Sequence, residues 1–295
     1  MEADRVVARA SRTAEYMALF RAIESAGPVH RRLFHDPFAA SFLSRGLKTA
    51  LAVARVPLIG RFIPSFIDRR WPGARTSGVA RTRLIDDWVL EALDRGVNQV
   101  AILGAGFDCR AYRLAHASGV RFFEIDQPGT SQVKQRVLQD RLGKLPAGVT
   151  FVQVDFNRQR LGPALVEAGF ETSRRAMLLW EGVTNYLTAD AVDSTLRWVG
   201  SLQPQTEIVF TYVDRRVLDD AGTDPGTARL RRTLSKTGET WTFGLDPPEV
   251  SRYLAARNLD LIEDLGAADY RRRYMGQPGT GYEFYWVVRA RVTAC

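Results

Sequence analysis

Four short stretches of this 295-residue chain carry residue types that together could hold a small, partly cationic ligand. They are Gly104-Ala105-Gly106, Asp126, Asp155-Phe156 and Glu181-Gly182. Glycines directly after an apolar run let the backbone turn sharply and approach a ligand closely. A carboxylate about twenty residues further on, at the end of a second apolar run, can accept two hydrogen bonds from a ribose diol. Asp126 stands there, with Gln127 beside it. Asp155 can accept from an adenine amino group while Phe156 packs the ring. Glu181 ends a fourth apolar run, where a buried carboxylate needs a partner and a cationic ligand would be one.

The loop differs from a dinucleotide fingerprint, which asks for Gly or Ala three residues after its second glycine. Cys109 occupies that place and Asp108 precedes it. A pyrophosphate would sit badly beside Asp108, so the loop is expected to cradle a group without phosphates. Tyr186, five residues past Glu181, could orient an acceptor. His30 and His35 are the nearby candidates for a general base, should the reaction require one. A Cys/His zinc centre lacks ligands, because the chain has three histidines and two cysteines. No metal is expected.

These residues need a scaffold that brings strand ends together. Residues 99–103, 121–126, 149–155, 176–181 and 206–213 read as short apolar strands, and the segments between them are long enough for helical crossovers. That alternation predicts an α/β Rossmann-like fold, a mostly parallel seven-stranded sheet with helices on both faces. Ligands then bind at the carboxyl ends of the strands. Residues 259–265 and 284–292 read as a closing antiparallel pair at the sheet edge. Residues 11–26 read as a helix ended by Gly27-Pro28. Leu84, Ile85, Trp88, Val89, Ala92 and Leu93 mark an amphipathic helix stopped at Gly96. The expected organisation is an N-terminal helical cap over 1–80 and a cofactor-binding core over 81–213. A lid insertion over 214–245 and the remainder of the core over 246–295 complete it.

Composition narrows the function further. The net charge is +8, and 37 of the 41 basic residues are arginine. Residues 1–80 hold 13 basic and 6 acidic residues, so most of the excess lies in the cap. The excess reads as a solvated basic face or as a basic wall facing an anionic substrate, and not as a nucleic-acid surface, because its aromatic residues fall at helical spacing and not as an interleaved stacking surface. No apolar run reaches the ~20 residues a membrane span requires, and the N-terminus shows no secretory core. A cytoplasmic monomer or homodimer acting on a small molecule is the expectation.

Several of these pieces, in order, resemble the leucine carboxyl methyltransferase group. They are Ala80-Arg81, Gly104-Ala-Gly-Phe-Asp108, Glu124-Ile-Asp126, Val154-Asp155-Phe156 and Glu181-Gly-Val-Thr-Asn-Tyr-Leu187. Ser11-Arg12-Thr13-Ala14 and Asp36-Pro37-Phe38 extend the likeness over most of residues 10–200. The resemblance implies S-adenosyl-L-methionine as cofactor and methyl transfer to an oxygen of a small metabolite, in the manner of secondary metabolism. It implies that Arg81, and Arg12 with it, pairs with the methionine carboxylate, and that Gly104, Ala105 and Gly106 lie under the methionine part. It further implies that Asp126 binds the ribose, Asp155 and Phe156 the adenine, and Glu181 the amino group near the sulfonium. Two other classes stay open at this point: a nicotinamide-dependent oxidoreductase, and an RNA-modifying or non-catalytic binder of the same cofactor.

Overall fold

The computed structural model describes residues 12–56, 62–114, 119–219, 241–276 and 281–294. Helices α1 (Arg12–Ala26), α2 (Arg45–Ala54), α3 (Phe62–Arg70) and α4 (Ala74–Asp94) come first. Strand β1 (Gln99–Leu103) follows, then the short α5 (Arg110–Arg113), β2 (Arg121–Asp126), α6 (Pro128–Leu142) and β3 (Val149–Gln153). Next come α7 (Leu161–Glu167), β4 (Met177–Trp180), α8 (Ala189–Gly200), β5 (Glu207–Val213) and α9 (Arg216–Asp219). After Asp246-Pro247, α10 (Val250–Ala255), β6 (Leu259–Gly266), α11 (Ala267–Met275) and β7 (Tyr285–Val292) complete the chain.

The seven strands form one sheet in the order β3-β2-β1-β4-β5-β7-β6. β1 is buried along its whole length, as the all-apolar run of a strand covered on both faces must be. On one face β1, β4 and β5 pack with α7, α8 and α10 around Trp180, Leu165 and Leu196. On the other they pack with α4 and α11 around Trp88, Ile85 and Tyr270. β1 and β4 are neighbours, so the strand order reverses between them and opens the crevice at their carboxyl ends.

The expected antiparallel pair closes the sheet: β7 runs antiparallel to both β5 and β6, and β6 forms the edge. Helix α11 joins the two strands, an element the sequence expectation did not include. Its sequence, Ala-Ala-Asp-Tyr-Arg-Arg-Arg-Tyr-Met, buries only Ala267, Tyr270 and Arg271, too narrow a stripe for apolar periodicity to reveal. Helix α4 likewise begins ten residues before its apolar stripe. Its first half buries Ser77, Gly78, Arg81 and Thr82 among Ala74, Val79 and Ala80, and the helix runs unbroken through residue 80. At Gly78 a Cβ would fall 2.7 Å from the Met17 methyl, so α1 and α4 approach there closely.

The N-terminal helices pack over the strand ends. Phe42 stacks on Phe107 at 4.7 Å, and Leu19, Ile23, Leu51 and Val79 join Phe107, Val133 and Leu138 in one apolar cluster. The buried Arg21 fixes this cover to the loop after β1. Its Nε donates to Asp36 at 2.9 Å and an Nη donates to the Phe107 carbonyl at 2.6 Å. Among the described residues no helix is long and apolar enough to cross a membrane. Of the expected lid, residues 220–240 lie outside the described residues; residues 214 and 245 on either side are joined by a β-bridge.

Candidate active site

The glycine loop leaves β1 in a backbone that favours glycine. Gly104 has φ +68° and Gly106 +43°. Ala105 is buried and its N–H donates to the Ile125 carbonyl at 2.9 Å, continuing the β1–β2 pairing into the loop. Below it the buried Lys134 ammonium lies 2.9 Å from Glu124 and reaches the Ala105 carbonyl at 3.5 Å. Burial pushes the Glu124 carboxyl up, against the pull of Lys134. Lys134, one of only four lysines, therefore props the loop from inside.

Asp126 sits at the end of β2. Its Oδ2 accepts the Gly106 N–H at 2.5 Å and its Oδ1 accepts the Gln127 N–H at 2.7 Å. Burial raises its carboxyl pKa despite these two bonds and Lys134. Each carboxylate oxygen can accept a further hydrogen bond beside the one it takes from the backbone. Gln127 is exposed and caps α6. One strand over, the Val154 N–H donates to the Asp126 carbonyl at 3.0 Å, which places Asp155 beside it. Asp155 also closes its own turn, accepting from the Asn157 N–H at 3.0 Å. Phe156 is half-buried, its ring 6.0 Å from that of Trp180.

The densest charge lies at the end of β4. Glu181 Oε1 accepts from Arg81 Nε at 2.7 Å and Oε2 accepts from Arg110 Nη1 at 2.8 Å. Arg110 is 2% exposed and also donates to Asp86 at 2.8 Å and Asp108 at 2.5 Å. Arg113 holds both oxygens of Asp86. Three arginines and three carboxylates thus form one buried, charge-balanced network. Burial alone would raise the Glu181 pKa, but Arg110 and Arg81 hold it down to about 2. The Arg81 guanidinium lies over the Tyr285 ring at 4.6 Å, and one Nη meets the Met17 sulfur at 3.8 Å. That soft contact leaves Arg81 charged donors for a ligand carboxylate.

Gly182, with φ +73°, donates to Thr211 Oγ1 at 2.8 Å. Tyr186 is half-buried in the single turn that follows. His30 and His35 are exposed on the segment between α1 and Ala39 and do not join the buried network. Arg12 opens α1, and its side chain lies outside the described residues.

The sequence reading missed Arg110. Its partners Asp86 and Glu181 stand 24 and 71 residues away, so no local spacing reveals the network. The available signal was Asp108-Cys-Arg110 at the tail of the glycine loop, where an unexplained acid is followed two residues later by an arginine.

Comparison with known proteins decides the family. The family model described as leucine carboxyl methyltransferase matches residues 14–200. The chain belongs to the leucine carboxyl methyltransferase family. A Frankia alni protein assigned by name to the S-adenosyl-L-methionine-dependent methyltransferases is 36% identical over 228 residues, 77% of each chain. A Streptomyces coelicolor protein assigned by the same name is 33% identical over 219 residues, 73% of this chain and 74% of its own. A crystal structure from Thermobifida fusca, titled as a methyltransferase, shares the fold at TM-score 0.58 and 17% identity, covering 92% of this chain and 97% of its own. This leucine carboxyl methyltransferase family member is accordingly an S-adenosyl-L-methionine-dependent methyltransferase. Its residues fit that cofactor: at Gly106 a Cβ would stand in the loop with no atom nearer than 3.8 Å, and a buried cation and anion, Arg81 and Glu181, lie side by side at the end of β4.

Proposed function

We propose that the chain transfers a methyl group to an oxygen of a small, mostly apolar metabolite, with a carboxylate favoured over a phenol. Glu181 is the observation that supports this most directly. Held near pKa 2 by Arg110 and Arg81, it serves as a fixed counter-charge and takes no proton at neutral pH. An ionised carboxylate acceptor needs no base, whereas a phenol with an ordinary pKa of about 10 does.

In this reading Arg81 binds the cofactor carboxylate through its free donors, and Glu181 faces the amino group. Asp126 accepts from the ribose hydroxyls, Gly104 to Gly106 lie beneath the methionine chain, and Asp155 and Phe156 hold the adenine. When bound, the cofactor supplies a methyl group already activated on a sulfonium. The protein's part is to hold the acceptor oxygen in line at about 3 Å and to exclude water, which is worth several kcal/mol. Phe42, Phe107 and the N-terminal helices supply the apolar cover. Tyr186 would orient the acceptor; His30 and His35 would act only if a phenol were the substrate.

The product's chemistry tests the reading. A methyl ester releases methanol in mild alkali, whereas an aryl methyl ether survives. A base-stable product, with activity lost in His30→Ala or His35→Ala, would overturn the carboxylate assignment and leave O-methylation standing.

A further inference from the structure

Buried polar atoms without partners are rare, and each asks what is meant to satisfy it. Two of them belong to neighbouring segments beside the loop that starts at Glu181. Asn185 is 1% exposed and its Oδ1 has no hydrogen-bond partner; the buried Trp241 Nε1 has none either. Their backbones adjoin, because the Thr242 N–H donates to the Asn185 carbonyl at 2.8 Å. Thr242 Oγ1 donates to the Leu187 carbonyl at 2.8 Å and pins the segment to the loop that starts at Glu181. Three other indoles also lack partners, but they belong to the core. Trp88 and Trp180 are fully buried inside the two clusters that cover the sheet, and Trp286 packs against one of them. Trp241 belongs to no core cluster.

Trp241 continues into an aromatic surface. Its ring lies 5.9 Å from Phe284, and Phe284 lies 4.9 Å from Tyr282. All three are half-buried. Phe284 adjoins Tyr285, whose ring carries the Arg81 guanidinium. The wall thus begins where the methionine end of the cofactor is held and runs away from it. It is also rigidly set. Tyr282 has φ +62°, a backbone that a bulky residue adopts only under constraint. The constraint is visible next door: the buried Arg271 donates to the Gly281 carbonyl at 2.5 Å and to Ser77 at 2.7 Å.

We infer that Trp241, Tyr282 and Phe284 form the wall of the acceptor pocket, and that Trp241 Nε1 and Asn185 Oδ1 bind a hydroxyl of the acceptor, which is a hydroxyaryl compound. An aromatic ring matches the wall, since offset and edge-to-face contacts between rings add to simple burial. A hydroxyl answers both orphaned atoms, because it accepts from an N–H and donates to a carbonyl oxygen. A plain carboxylate cannot donate to Oδ1. The inference rests on the O-methyltransferase reading and narrows its substrate class.

The test uses the full chain, labelled with 15N-tryptophan and saturated with S-adenosylhomocysteine. The Trp241 indole N–H signal is assigned from its loss in Trp241→Phe. Titration with 4-hydroxycinnamate is expected to move that signal, at an affinity at least fivefold tighter than cinnamate. Asn185→Leu should erase the difference between the two acids; if that variant does not fold, the same comparison in Trp241→Phe, read by calorimetry, takes its place. A Trp241 signal unmoved by either acid, or equal affinity for both, overturns the inference. Failure of the underlying reading looks different: no S-adenosylhomocysteine binding, or no methyl transfer to any oxygen acceptor.

Discussion

Glu181 and Arg110 share a 2.8 Å ion pair although 71 residues separate them, and the other oxygen of Glu181 is held by Arg81 at 2.7 Å. The residues expected to grip the two charges of an amino acid therefore grip each other. In the proposed binding mode Arg81 keeps its Nε on Glu181 and offers its Nη donors to the ligand carboxylate. Arg110, tied to Asp86 and Asp108, holds the other Glu181 oxygen and keeps that carboxylate ionised and oriented.

This arrangement sets a prediction for Arg110→Lys. A lysine keeps the charge but cannot reach Asp86, Asp108 and Glu181 at once. S-adenosylhomocysteine affinity should fall roughly tenfold, about 1.4 kcal/mol, and adding Arg81→Lys should give a combined loss smaller than the sum, because both arginines hold Glu181 while Arg81 alone also faces the ligand carboxylate. Calorimetry on the double-mutant cycle checks it; additive losses would separate Arg110 from the site.

The acid dependence of stability follows from Glu181. Its pKa is about 2 in the folded chain against an ordinary 4.5. A depressed carboxylate contributes stability that is fully present above the unfolded value and is lost as pH falls through the folded one. The window is thus pH 4.5 down to about 2, and the contribution is at most ~3 kcal/mol. Urea unfolding of wild type and Glu181→Gln should differ most at pH 6 and converge towards pH 2. A difference that stays constant across that range would mean the carboxylate's charge does not matter.

Asp126 offers a cleaner measurement on the cofactor. Asp126→Ala removes the charged acceptor from both the Gly106 N–H and the ribose hydroxyls. S-adenosylhomocysteine should bind about 30-fold more weakly, roughly 2 kcal/mol. Asp126→Asn should recover little, because an amide presents one acceptor oxygen where the loop and the diol need two. Unchanged affinity in either variant would take Asp126 out of the ribose site.

What could be read from the sequence follows the range of the physics involved. β1, β2 and β4 showed themselves because a strand buried on both faces must be apolar throughout, and because each ends in the glycine or acid that a strand-end site uses. The position of β7 inside the sheet did not show, since apolar alternation says nothing about which neighbour a strand chooses. α11 and the first half of α4 escaped because small, polar and charged residues make up most of their buried faces and large aliphatic ones are too few there to show a period. At the site, Arg81, Asp126 and Glu181 were each legible as ligand-holding types. The pairing of Glu181 with Arg81 and Arg110 was not, for it depends on contacts 100 and 71 residues apart. Lys134 was invisible for another reason: nothing in the spacing marks a lysine whose ammonium is buried against Glu124 beneath the loop.

The glycine loop yields a prediction that isolates packing from cofactor chemistry. At Gly104 a Cβ would lie 2.3 Å from Val183 Cγ2, and the residue has φ +68°. Gly104→Ala therefore meets two separate obstacles. The left-handed backbone costs an L-residue about 1–2 kcal/mol, and the clash adds to it because a valine is stiff at χ1 and cannot swing aside freely. Val183→Ala removes the second obstacle and leaves the first. The single variant should lose well over 2 kcal/mol in urea unfolding. The pair Gly104→Ala/Val183→Ala should lose less than the sum of its parts, with about 1–2 kcal/mol of the Gly104 effect remaining. Strict additivity would show that Val183 does not press on the loop, and that Gly104 is there for its backbone alone.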